Sequence, residues 1–229
     1  LSGFARVNYD YNYRYMVSLV ARYDGISKLS DNRWGFFPGI SAGWNVHEEA
    51  FFKDSKFAEV VSLIKPRISY GLNGNVNGIG NFDVYGKYGS VGAYNGNLGY
   101  LNTGVVNSKL RWEKSHTFEL GLDLGFFNNR IHMIMDYYNR TTSDLLTDVN
   151  LPEYTGFPSF KTNLGTISNR GFELEAKVNL LTKKDWSWDV TANTSFVKNM
   201  VKKLPFNGNA NNRQGGEQIW DPKSNSLVW

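Results

Sequence analysis

The 229 residues include no cysteine, 3 histidines and 6 prolines, and no long apolar run. Without cysteine there is no disulfide framework and no thiolate nucleophile. His47, His116 and His132 lie far apart and form no HExxH or other close ligand spacing, so no metal or other cofactor is expected. No stretch approaches the roughly 20 apolar residues of a membrane-spanning helix. An excess of one charge is also missing. The 25 basic and 21 acidic side chains leave a net +4 and no block of like charges, which argues against nucleic acid as a partner. Glu173 and Glu175 share one strand face, as do Glu119 and Asp123. A glycosidase needs such paired carboxylates, but solvated strand residues show the same spacing, and no enzyme is expected.

Aromatic residues, glycine and asparagine are abundant, with 15% Phe, Trp and Tyr, and this much aromatic surface excludes a disordered chain. The sequence enters a strand pattern directly from Leu1-Ser2-Gly3, with no leader peptide, and we read it as a piece of a longer product. Period-two alternation then runs through most of it. Ala5, Val7, Tyr9 and Tyr11 alternate with Phe4, Arg6, Asn8 and Asp10; Tyr15, Val17, Leu19, Ala21 and Tyr23 follow after a turn at 12–14. Further runs carry Phe36, Ile40, Ala42, Trp44 and Val46, then Ile68, Tyr70 and Leu72. The clearest hairpin sets Phe118, Leu120, Leu122, Leu124 and Phe126 against Ile131, Met133, Met135 and Tyr137 across a turn at 127–130. The last pair runs from Phe172 to Leu180 and from Trp186 to Phe196. Residues 47–64 fit a 3.6-residue period instead and predict a short helical connection.

The pattern predicts an all-β, antiparallel chain of about eight strands, most of about 9–12 residues. Soluble strands cluster near 5–6 residues, whereas a tilted membrane strand takes about 9–11. Short turns at 12–14, 127–130 and 181–185 alternate with long connections at 25–33, 73–108 and 140–170. Antiparallel order puts the short turns at one end and the long loops at the other, as in outer-membrane barrels. Arg6, Asp24, Arg67, Glu119, Asp123, Asp136, Glu173, Glu175, Lys177 and Asp189 fall on the face opposite the apolar one. A soluble sandwich also has one apolar and one polar face, so a β-sandwich carbohydrate-binding module stays open, as does a non-energised porin or barrel adhesin. Residues 1–197 are read as a partial transmembrane barrel and 198–229 as an extracellular loop segment.

Several stretches resemble the barrel of SusC/RagA-type TonB-dependent transporters of Bacteroidetes outer membranes. They are Ala21-Arg22-Tyr23-Asp24-Gly25, Phe37-Pro38-Gly39-Ile40-Ser41-Ala42-Gly43-Trp44, Lys65-Pro66-Arg67-Ile68-Ser69-Tyr70-Gly71 and Leu110-Arg111-Trp112-Glu113-Lys114. Asp136 to Leu146 and Asn163 to Leu174 continue the series, so the resemblance covers roughly residues 15 to 197. It implies part of a barrel of about 22 strands, in the outer membrane, importing a nutrient oligomer, with a glycan ahead of a peptide. It also implies a SusD-like lid lipoprotein as partner, and coupling to the TonB complex through a plug region outside these residues. Eight strands alone leave two open edges, so the piece is not expected to fold by itself.

Ligand contacts are expected in the long loops. Tyr85, Tyr88, Tyr94 and Tyr100 lie in a Gly/Asn-rich stretch; aromatic faces stack on sugar rings, and Asn amides donate and accept hydrogen bonds. Arg111-Trp112-Glu113 is read as structural, with the indole at the membrane interface and the charges capping or pairing.

Overall fold

The computed structural model describes residues 1–86 and 88–205, together with the backbone of 219–221 and 226–228. Eight strands form one antiparallel sheet. They are β1 (Ser2–Tyr11), β2 (Tyr15–Gly25), β3 (Trp34–Trp44), β4 (Val61–Asn75), β7 (Glu113–Phe126), β8 (Ile131–Asn150), β9 (Ser159–Lys183) and β10 (Trp186–Lys203). Each pairs with its neighbour in that order. Two more strands, β5 (Tyr88–Tyr94) and β6 (Asn97–Asn102), make a separate hairpin inside the connection from β4 to β7, and β11 (Ile219–Asp221) pairs with β12 (Ser226–Val228). Among the described residues no second large sheet packs on the first, so the sandwich reading fails. The sheet is open at β1 and β10.

The register aligns each alternating run with the next. One row of paired residues crosses all eight strands: Tyr9, Val17, Ala42, Ile68, Leu120, Tyr137, Phe172 and Phe196. The row beside it, on the opposite face, is Asp10, Met16, Gly43, Arg67, Gly121, Asp136, Glu173 and Ser195. A shift of one residue in any pairing would mix the two faces. The apolar face is exposed along its length, at Val7, Leu19, Ile40, Ile68, Leu120, Tyr137 and Phe196 among others. An exposed apolar surface this continuous is explained by lipid.

All four connections at one end of the sheet are compact. Asn12 and Tyr13 take left-handed backbone conformations at the first, where the Arg14 N–H donates to the Tyr11 carbonyl. Phe127, Asn128 and Asn129 do so at the third, and Lys184-Asp185 form the fourth. The second is the expected helical connection, built from a 3-10 turn at Val46–Glu48, the helix α1 (Ala50–Lys53) and a 3-10 turn at Lys56–Glu59. It is shorter than the 3.6-residue pattern indicated, because residues 61–64 already pair with β7.

At the other end the strands outrun the sequence pattern. The stretch 140–170, read as a loop, is mostly strand: β8 and β9 pair out to Asn150 and Ser159, leaving only 151–158 as a turn. At about 3.3 Å per residue the 25 residues of β9 span about 80 Å, far beyond the bilayer. A ribbon standing in water has no lipid side to select, so its pairing persists while its hydrophobic alternation lapses. The strand β10 likewise continues through 198–203, the start of the predicted terminal loop. The remainder of that loop, at 206–218, 222–225 and 229, lies outside the described residues.

Candidate functional site

Among the described residues, three regions gather polar groups or rings: the inward face of the sheet, its long-loop end and its short-turn end.

On the inward face, Arg67 reaches across β7. Its Nη2 donates to Asp123 Oδ1 at 2.8 Å and to Asp136 Oδ1 at 3.0 Å, and its Nε donates to Asp123 Oδ1 at 3.1 Å. The residue beneath it is Gly121. A Cβ there would lie 2.6 Å from Asp136 Oδ1 and 2.8 Å from the guanidinium, so a larger residue would have to displace the ends of the side chains that join the two strands. Ser69 donates to Glu119, and Ser18 donates to Asn8. All of these residues except Asp123 line a groove of about 540 Å³ together with Asp10, Ser41 and Lys65. Glu173 pairs in register with Asp136, and Glu175 with Ile134, so the paired carboxylates stand on this inward wall. No group of three or more His, Asp or Glu among the described residues is placed to hold a metal ion.

At the long-loop end sits the apolar core. It consists of Leu29, Phe37, Val76, Ile79, Val84, Leu110 and Trp112, with Ile26, Leu72 and Leu146 packed against it. The strands β3 and β4 pair only from Gly43↔Arg67 to Gly39↔Gly71. Beyond that the Phe37 ring lies over the backbone of Gly74, so close that a Cβ there would collide with it. The Trp112 ring meets Phe37 edge-on at 5.3 Å, and its indole N–H donates to the Arg33 carbonyl. Trp112 is therefore buried in a loop core and not at a membrane interface, because the loops 26–33 and 76–86 fold over it.

Polar contacts close this core. Asn32 donates to the carbonyls of Lys109 and Leu110. The buried Asn163 side chain accepts from the Arg111 N–H and donates to the carbonyls of Arg111 and Asp144. Arg111 pairs with Asp144 at 2.7 Å, which holds the guanidinium pKa above its ordinary value. Asp144 takes a left-handed conformation at the bulge between Ser143 and Leu145. Glu113 accepts from the Leu146 N–H and from Asn75, and Lys161 donates to the Gly78 carbonyl. The structural reading of Arg111-Trp112-Glu113 thus holds for the two charges, although their partners lie more than 30 residues away in sequence for Asp144 and Leu146.

The four loop tyrosines are all exposed. Tyr85 ends the turns that follow β4. Tyr88 pairs with Asn102, and Tyr100 with Ser90, so strand alternation places Tyr88 and Tyr100 on one face of the hairpin. The extra residue at the Ser90/Gly92 irregularity shifts the phase, and Tyr94 falls on the other face beside Asn97. The hairpin therefore joins two of the four and separates the third. The core that carries it was not visible in the sequence. Isolated apolar residues in polar segments have no period, and only the coincidence of Leu-Arg-Trp with Asn163 and Asp144 in space reveals it.

A second polar cluster holds the short-turn end. Tyr11, Tyr15 and Trp44 stack in series, with centroids 6.5 and 6.2 Å apart. The Glu49 carboxylate, itself buried, accepts from the Tyr15 hydroxyl at 2.6 Å, the Trp44 indole N–H at 3.1 Å and Arg14 at 3.3 Å. The Tyr15 hydrogen bond first, then that of Trp44, holds the Glu49 pKa below its ordinary 4.5. Neighbouring Glu48 is lowered too, by Lys53. A carboxylate favoured in the fold contributes in full above 4.5, and its contribution is lost as pH falls through the lower folded value. The protection factors of residues 46–60, with exchange corrected for its intrinsic pH dependence, should therefore stay level above pH 4.5 and fall below it. Glu49→Gln should remove most of that step; an unchanged step would assign it to Glu48.

The sequence matches the family model of the TonB dependent receptor-like β-barrel over residues 1–226. It is 38% identical over 209 residues to TonB-dependent receptor P3 of Formosa agariphila, which covers 90% of this chain and 20% of the relative. It is 37% identical over 213 residues to TonB-dependent receptor SusC of Bacteroides thetaiotaomicron, 89% of this chain and 21% of the relative. The chain thus spans about a fifth of the length of these curated relatives. Its fold superposes on the RagAB peptide transporter with a TM-score of 0.81 at 31% identity, over 90% of this chain and 22% of that one. The siderophore receptor PirA of Pseudomonas aeruginosa shares the fold at a TM-score of 0.58 and 14% identity, over 88% of this chain and 34% of its own. Two-faced strands, an exposed apolar belt and this likeness lead to one conclusion: the chain belongs to the TonB-dependent receptor β-barrel family, of the SusC/RagA type, and forms a stretch of wall in an outer-membrane barrel.

Proposed function

We propose that this wall belongs to a TonB-dependent importer of a nutrient oligomer, with the short turns in the periplasm and the long loops outside. The observation that carries the proposal is the two-row register, which gives one lipid face and one continuous polar face across eight strands. A plug encoded elsewhere in the protein would rest against the inward face and couple to the TonB complex. A SusD-like lid lipoprotein would sit over the long loops. The cargo we favour is a glycan, taken by Tyr85, Tyr88, Tyr94 and Tyr100, whose exposed rings stand among Asn and Gly. A peptide is the second reading, favoured by the fold of the RagAB peptide transporter.

The test uses the full-length protein with its lid partner in detergent. Calorimetric titration against oligosaccharide and oligopeptide mixtures separates the two cargo classes. Replacing both Tyr88 and Tyr100 by Ala should weaken binding of the active class by about 10-fold or more, taking about 1 kcal/mol per stacked ring. Unchanged affinity would remove the tyrosines from the site while leaving the importer reading intact. Loss of energised uptake on deleting the plug tests that reading separately.

A further inference from the structure

Every connection at the short-turn end exposes a large aromatic ring. Tyr13 is 80% exposed in the first turn, Phe127 52% in the third and Trp186 74% beside the fourth. The helical connection exposes two, Phe51 at 65% and Phe57 at 75%. Phenylalanine has no polar atom to offer water, so two exposed rings within seven residues need a cover. The connection is also fastened to one side of the sheet. Glu49 holds the Tyr15 hydroxyl and the Trp44 indole, and both residues belong to the apolar, outward face by register, with Tyr15↔Trp44 flanked by Val17↔Ala42. The clamp therefore continues the lipid belt onto the connection.

We propose that residues 46–60 form an interfacial foot, in which Phe51 and Phe57 enter the acyl boundary of the phospholipid leaflet beneath the Tyr11–Tyr15–Trp44 stack. The short backbone turns rule out a spanning role, and the arrangement matches a segment lying in the plane of the interface. Charge does not drive the contact. The segment carries Glu48, Glu49, Asp54 and Glu59 against Lys53 and Lys56, and Lys53 is paired with Glu48 at 2.6 Å. Attachment by apolar burial is insensitive to salt, unlike attachment of a basic segment to anionic lipid. The leaflet assignment rests on the orientation proposed above; insertion itself does not.

The absence of cysteine from these 229 residues makes site-directed labelling direct. In the full-length protein, with any cysteine elsewhere replaced, Phe51→Cys, Phe57→Cys and Asp54→Cys would carry a nitroxide in phosphatidylethanolamine/phosphatidylglycerol nanodiscs. Power saturation compares access of dissolved oxygen with that of a water-soluble nickel chelate. At 51 and 57 the oxygen-to-nickel ratio should exceed that at 54 several-fold, equally at low and high salt. Nickel access at 51 and 57 matching that at 54 overturns the foot. Shielding from both agents overturns it in favour of a protein cover, and a ratio that collapses in high salt overturns the apolar basis. Labelling of an Asn128→Cys variant by an impermeant maleimide in whole cells would reverse the orientation while leaving the depth result standing.

Discussion

Trp112→Ala is expected to destabilise the long-loop end by about 3–5 kcal/mol, the usual cost of emptying a large aromatic site in a core. The indole fills the space where β3 and β4 part, meets Phe37 edge-on and holds the Arg33 carbonyl. Its loss leaves the fully buried Leu29 and Leu110 facing a cavity. The damage should be local, since this core lies among the loops and not between strands. Limited proteolysis of the full-length protein in detergent should cut within 26–33 and 76–86, while the belt strands stay protected. Hydrogen exchange gives the same contrast residue by residue. Loops as protected in the variant as in the wild type would show that the ring is not their keystone. Trp112→Phe keeps most of the packing but loses the bond to Arg33 and part of the ring's volume, so it should fall well short of the alanine effect.

Leu120→Arg is expected to cost about 2–4 kcal/mol in a bilayer, the range for arginine on the lipid face near the midplane of a barrel. Leu120 sits at the middle of β7, between Ile68 and Tyr137 in the outward row. The neighbouring Glu119→Arg, on the inward face, gives up only the bond from Ser69 and should change stability by about 0.5 kcal/mol. Denaturant unfolding of the full-length protein from lipid vesicles measures both. The contrast between adjacent residues is the informative quantity, because a general intolerance of arginine would lower both alike. Equal losses at 119 and 120 would contradict a lipid face on one side and a polar wall on the other.

Both substitutions act where the sequence was readable to different degrees. The belt was plain from Phe118-Leu120-Leu122-Leu124-Phe126, because lipid on one side and polar groups on the other impose a period of two. The turns at 12–14 and 127–130 followed from where that period broke. The outer ribbons were not legible. Thr141 to Asn150 pair with β9 apart from irregularities around Asp144, but water on both sides imposes no alternation, and Asp144 interrupts the phase through its left-handed backbone. The loop core was hidden for another reason. Leu29, Ile79 and Leu110 are single apolar residues in unrelated polar segments, and their meeting depends on how β3 and β4 separate above Gly39. Nothing within reach of Trp112 in the sequence distinguishes a ring in a membrane interface from a ring in a core. Glu49 was likewise silent, since its partners Tyr15 and Trp44 were legible only as belt residues.

The hairpin β5–β6 has a consequence for how such a wall changes over generations. Its root is tied to a buried pedestal around Ile79, Val84 and Leu110, while the tip from Val91 to Leu98 is exposed throughout. Replacements at the tip meet no neighbouring side chain of the wall and carry no folding penalty for the strands below. Lineages can therefore exchange tips by mutation or recombination and inherit the barrel unaltered, so that variation has room to accumulate in these eight residues while the belt stays under the demands of lipid.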